Sequence, residues 1–141
     1  MITENKKNVS REEIEKELGN FHSTTCYHRF SFLFRNLVLT DGAKYVADKC
    51  GAYWLFNMIA SYQFNPRVKN NPHLKDSIQF WTLNVKDEQG IVVCEWDKEQ
   101  VVLEQKIEYT DFPLPQIRIW VSKTQLADGS IVWVAYLPSE H

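Results

Sequence analysis

Beyond Ser77 the chain carries five segments rich in β-branched and aromatic residues, and this run constrains the fold more than any other feature. Ile78–Val85, Ile91–Trp96, Val101–Tyr109, Gln116–Ser122 and Ile131–Leu137 each have the length and composition of a strand. The connections Lys86–Gly90, Asp97–Gln100 and Ala127–Ser130 are short and polar. Short links join antiparallel neighbours, because a parallel pair needs a crossover of a dozen residues or more. The expectation is a meander of four to five antiparallel strands.

The first half follows a different period. Ser10 with Glu13 has the spacing of a capping box, and Ile14 and Leu18 give the short helix that follows a thin apolar face up to Gly19. Thr40 caps a second helix in which Ala43, Val46, Ala47 and Cys50 fall on one side, with Gly51 as its stop. A third, from Ala52 to about Gln63, is apolar nearly all round, which predicts burial on several sides or a subunit interface and hence a homo-oligomer. Helices first and strands afterwards predict an α+β fold, with N-terminal helices packed on one face of the sheet. Residues 1–9 read as a disordered tail and residues 10–141 as a single domain.

Two stretches fall outside this scheme. From Arg29 to Arg35, Phe30, Phe32 and Phe34 alternate with other residues, which predicts an extended segment with its aromatics inward and Arg29 and Arg35 together on the other side. Residues 64–76, with two prolines, three asparagines and the basic Arg67, Lys69 and Lys75, read as one long irregular loop, either functional or mobile.

Composition excludes several classes. Sixteen Lys and Arg against eighteen Asp and Glu give a formal charge of −2, so no global field draws the chain to duplex nucleic acid. The helix pair around Gly51 has the rhythm of a helix-turn-helix, yet its second helix offers Tyr53, Trp54, Phe56 and Met58 and no Lys or Arg to a major groove. No apolar run reaches membrane-spanning length, and Met1–Arg11 lacks the apolar core of a signal peptide. Three widely spaced cysteines suit a reducing compartment, so the expected location is the cytoplasm.

Catalytic and metal motifs are thin. His22, Cys26 and His28 are potential zinc ligands, but their spacing fits no paired-ligand pattern and a fourth would have to come from Cys50 or His73. Cys26 beside His28 suggests a nucleophile and its base, and Asp111 is a turn carboxylate between aromatics. No Gly-x-Ser-x-Gly elbow, phosphate loop or His-Glu-x-x-His helix is present. The expectation is a protein without catalytic residues, metal or cofactor.

A surface of aromatics and cations is the stronger signal. On the fourth strand Arg118 and Trp120 share a face, and Trp96 and Lys106 are expected to join them. Arg29 and Arg35, or Arg67 and Lys69, supply further charge. A planar base stacks on an exposed aromatic while Arg holds a phosphate, which predicts a small nucleotide-like ligand. The competing expectation is that Trp96 and Trp120 are covered by a helix or a second subunit and that the arginines are solvated.

Leu39-Thr40-Asp41-Gly42-Ala43-Lys44-Tyr45-Val46-Ala47, Gly51-Ala52-Tyr53-Trp54-Leu55, Tyr109-Thr110-Asp111-Phe112-Pro113 and Leu137-Pro138-Ser139-Glu140 together resemble a domain-of-unknown-function family (6876). Its members are small proteins scattered through phages, plasmids and mobile-element-bearing bacterial genomes. The resemblance runs from about Phe21 to His141, and it implies an accessory protein with no assigned substrate or catalytic residue. By analogy such a protein acts against host defence by sequestering a signalling molecule or by occupying a host protein.

Overall fold

A computed structural model describes residues 10–141, so the tail expected over residues 1–9 lies outside the described residues. Four helices, α1 (Arg11–Leu18), α2 (Asp41–Lys49), α3 (Tyr53–Tyr62) and α4 (Pro66–Lys69), accompany six strands. These are β1 (Leu37–Leu39), β2 (Gln79–Lys86), β3 (Gln89–Asp97), β4 (Gln100–Ile107), β5 (Gln116–Gln125) and β6 (Ile131–Tyr136). They form one sheet in the order β1-β6-β5-β2-β3-β4, antiparallel throughout except for β1 beside β6. The α+β expectation holds, with one more strand than the four to five expected. None of the described helices is long and apolar enough to cross a membrane.

The simple meander does not hold. β2, β3 and β4 follow one another, but β5 pairs with β2 and not with β4. The chain between them crosses the end of the β2–β3 hairpin, where Thr110 N–H donates to Glu88 O and Val85 N–H donates to Pro115 O. Phe112 and Leu114 are buried on the way, and two prolines keep this link out of a ladder. β4 is left as an edge whose Glu104 and Lys106 are exposed, a charged edge that resists further strand pairing.

The helices cover one face. Trp81 and Leu83 of β2, Val92 and Cys94 of β3 and Ile117, Ile119 and Val121 of β5 pack with Leu55, Phe56 and Ile59 of α3, Val46 and Ala47 of α2, and Ile14 of α1. Much of the apolar surface of α3 packs within the chain: Leu55, Phe56 and Ile59 are buried, Trp54, Met58 and Tyr62 lean on this core while partly exposed, and Asn57 and Ser61 face solvent. A pair of glutamines sits in the interior with its amides bonded. Gln79 and Gln63 exchange amide hydrogen bonds of 2.8 and 2.9 Å, and Trp81 Nε1 donates to Gln79 Oε1 at 2.9 Å. On the other face a smaller cluster joins Val38, Val132, Val134 and Tyr136 to Trp120 and Leu126.

The starts of α1 and α2 follow the capping rules: Ser10 Oγ accepts from Glu13 N–H and Thr40 Oγ1 from Ala43 N–H. Gly51 closes α2 with φ 60°, as its sequence position predicts. Gly42 answers to a different need. Glu140 Oε2 accepts its N–H at 3.0 Å, and a Cβ there would lie 2.6 Å from Glu140 Oε1 and 2.7 Å from Leu137 Cδ1. The Leu39–Ala47 and Leu137–Glu140 stretches, far apart in sequence, thus meet as one helix cap.

The alternating stretch from Arg29 to Arg35 is not a strand. His28 makes a single antiparallel bridge to Leu39, after which the chain turns on Ser31, whose Oγ accepts from Leu33 and Phe34 N–H. Phe30 and Phe34 reach down to the core, and Phe32 points outward.

Candidate functional site

The residues proposed from sequence separate into three places. Arg118 is exposed on the open face of the sheet, in a cross-strand row with Thr82, Val93 and Glu104. Trp120 lies on that face but is spent on packing: it meets the edges of Phe80, Tyr136 and His141 at centroid distances of 5.1, 6.2 and 5.4 Å. Lys106 stands beside Ile91, three strands from β5. Trp96 is on the opposite, helix-covered side, stacked against His73 at 3.9 Å. It follows Val92 and Cys94 in the alternation of β3, which sends it toward the helices, while its neighbour Glu95 pairs with Phe80 on the open side. Arg67, in α4, is exposed and lines none of the clefts described below. The open face therefore does not gather Arg118, Trp120, Trp96 and Lys106 into one site.

Arg29 and Arg35 do come together. They line a cleft of about 830 Å³ at the end of the sheet where β1 and β6 begin, with Phe30, Phe32, Asp128 and Ile131. The loop that carries them is pinned at both ends. Phe30 packs on Tyr53 and Phe56, and Asn36 O accepts from Trp133 N–H at 2.8 Å. Arg29 Nη1 donates to Arg35 O at 3.3 Å, and the Arg35 guanidinium lies 5.6 Å from the Phe32 ring centre. Asp128, across the cleft, is held below the usual carboxylate range by the Ser130 hydroxyl and N–H, with Arg29 adding to the effect.

A second hollow of about 270 Å³ adjoins the first at Asn36 and is lined by Lys69, Lys75, Lys123, Phe64 and Trp133. Lys123 Nζ sits 5.2 Å from the Trp133 ring centre and donates to Lys75 O. The two hollows collect five cations around one asparagine in a chain whose formal charge is −2. The loop's partner, the β5–β6 turn, had no sequence signal linking it to Arg29 and Arg35; only the fold joins them.

At the other end of β1 lies a different group. His28 Nε2 is 2.8 Å from Asp41 Oδ1, and Cys26 Sγ is 3.4 Å from the same nitrogen. Asp41 Oδ2 accepts from both the N–H and the hydroxyl of Thr25, each at 2.9 Å. The Thr25 N–H and then His28 hold this carboxyl well below the ordinary carboxylate range. The nucleophile-and-base reading of Cys26 and His28 is not supported. A relay requires the orienting carboxylate on the imidazole nitrogen opposite the nucleophile, and here both partners share Nε2. Cys50, one candidate fourth zinc ligand, is buried in the core with its thiol pushed up to about 12 by desolvation. His73, the other, stacks on Trp96. Asp41 was hidden from sequence reasoning, because its place in the first turn of a helix already accounts for an acid.

No curated protein and no solved structure matches the chain. Residues 12–141 match a family described as a family of unknown function, DUF6876. That match spans the helices, the sheet, both clefts and the cap joining Gly42 to Glu140, and the chain belongs to this family.

Proposed function

We propose that the protein binds and sequesters a small anionic ligand with a planar aromatic part, such as a signalling nucleotide, in the cleft between the Arg29–Asn36 loop and the β5–β6 turn. The observation that carries this reading is the convergence of Arg29, Arg35 and the exposed Phe32 on a single cleft. Its size falls within the range of about 300–1,000 Å³ typical of small-molecule sites. Two guanidinium groups suit phosphate oxygens, and Phe32 offers a ring for a base. The adjoining lysines of the second hollow extend the positive field for a ligand with more than one phosphate. In a family that resembles small phage and plasmid proteins, stoichiometric capture of a host signal is the corresponding role, an anti-defence accessory activity that needs no catalytic group.

The test is thermal unfolding of the purified protein against cyclic and linear nucleotides. A ligand at about a hundred times its dissociation constant adds roughly 2.7 kcal/mol of stability, several degrees in melting temperature. The shift is expected to vanish in the Arg29→Ala, Arg35→Ala double variant and to persist in Arg118→Ala. A flat panel, or a shift that survives the double variant, rejects this site.

One observation favours a second reading, a protein antagonist of a host protein. Phe32 and Leu33 are 88% and 86% exposed side by side at the loop tip, the form of an anchor for a partner's pocket. Replacing both with Ser would then abolish partner binding while leaving the response to nucleotides flat.

A further inference from the structure

We infer that Cys26, His28 and Asp41 form a binding site for a divalent transition metal of the zinc class, with one coordination position left open to solvent. Among the described residues their donor atoms converge within 4.8 Å of one another. The three sides of the triangle are 3.4 Å from Cys26 Sγ to His28 Nε2, 2.8 Å from His28 Nε2 to Asp41 Oδ1, and 3.7 Å from Cys26 Sγ to Asp41 Oδ1. Tetrahedral zinc with ordinary bond lengths to sulfur, nitrogen and oxygen separates those donors by about 3.6, 3.4 and 3.6 Å. The nitrogen–oxygen side has to open most, by about 0.6 Å on that geometry, and the two sides to sulfur lie within about 0.2 Å of it.

The donor set and its support favour a metal over a plain hydrogen-bonded cluster. Thiolate, imidazole and carboxylate together suit zinc and its neighbours and do not suit magnesium or calcium. Asp41 is steered by its second oxygen: Thr25 occupies Oδ2 with two hydrogen bonds and leaves Oδ1 aimed at the other two donors. The backbones are fixed to one another as well. His28 exchanges hydrogen bonds of 2.7 and 2.8 Å with Leu39, and Thr24 Oγ1 accepts from Asp41 N–H while donating to Cys26 O. Three donors are thereby held in place by strand and helix-cap bonds that owe nothing to a metal.

Binding replaces hydrogens in a balanced way. The metal takes the place of the Cys26 thiol proton, which leaves to solvent. In the metal-free chain His28 Nε2–H donates to the Asp41 carboxylate. On binding, His28 gives up that hydrogen bond and shifts by exchange with solvent to the tautomer protonated on Nδ1, so that the neutral ring presents its Nε2 lone pair and the thiol proton is the net proton released. Cys26 is exposed and His28 and Asp41 are partly so, which puts the fourth position on the solvent side, where water completes the sphere. This site stands at the opposite end of β1 from the arginine cleft and does not rest on the ligand proposed there.

Titration of the full chain with cobalt(II) tests the inference. One equivalent is expected to give a sulfur-to-cobalt charge-transfer band in the near ultraviolet and the intense visible bands of a four-coordinate site. Zinc is expected to displace them. Cys26→Ser, a change at an exposed position, removes the charge-transfer band, and His28→Gln weakens zinc binding at least tenfold in equilibrium dialysis. No band in the parent protein, or a band of equal intensity in Cys26→Ser, overturns the assignment. Far-ultraviolet circular dichroism of each variant separates loss of the ligand from loss of the fold.

Discussion

The two faces of the sheet are built from the same strands and do different work. On the helix-covered face, Trp81 is 1% exposed, and every polar group near it has a partner, down to the Gln63–Gln79 amide pair. The other face carries a small aromatic group around Trp120 and then open rows such as Arg118, Thr82, Val93 and Glu104. The comparison teaches that an aromatic beside an arginine on a strand is not by itself a binding surface. Trp120 is held by three neighbouring rings, and the cleft forms instead at the sheet's end, where neither face is closed.

Unequal burial gives an ordered set of expected effects, measurable by urea unfolding. Trp81→Ala removes the largest fully buried side chain and leaves Gln79 short of a donor, so a loss of about 4 kcal/mol is expected. Trp120→Ala, on the face with partial cover, is expected to cost about 2 kcal/mol. Equal losses from the two would break the contrast between the faces.

Asp41→Asn, at neither face, is expected to cost on the order of 1 kcal/mol near pH 7, since its ion-supported bonds are partly screened by solvent. Its carboxyl titrates lower in the folded chain than the ordinary value of 3.8. The stabilisation is therefore fully present above that pH and fades as pH falls through and below it. Variant and parent should converge in acid, and a gap that stays constant from pH 7 to pH 3 would assign the effect to packing.

Much of the second half was legible because its strands are rich in β-branched and aromatic residues and set off by short polar connections, and β2, β3 and β5 also alternate between a buried and an open face. β1 was not. Leu37, Val38 and Leu39 are buried on both faces, so the three-residue strand has no alternation to detect. Its pairing with β6 is also parallel and distant, beyond the reach of a rule based on short connections. The alternation of Phe30, Phe32 and Phe34 misled for the converse reason. A turn on Ser31 sends the first and third rings inward and the second out, so a period of two arose without a strand. The two candidate sites share one cause of concealment. Arg35 with Asp128, and His28 with Asp41, are brought together by β1 docking on β6 and by the His28–Leu39 bridge, and no local spacing records either event.

The bond from Thr40 to Glu140 joins residues 100 positions apart, and β1 waits on β6 for its place in the sheet. On a ribosome adding roughly 5–20 residues per second, that separation is a delay of about 5–20 s. A hairpin forms in about 1–10 μs, so β2, β3 and β4 are assembled long before β1 has a neighbour. Throughout that interval Cys26, His28 and the arginine loop belong to an undocked segment. The arginine cleft, walled on one side by the β5–β6 turn, comes into being at the last step of folding, whereas the Cys26–His28–Asp41 group closes through bonds within residues 24–41.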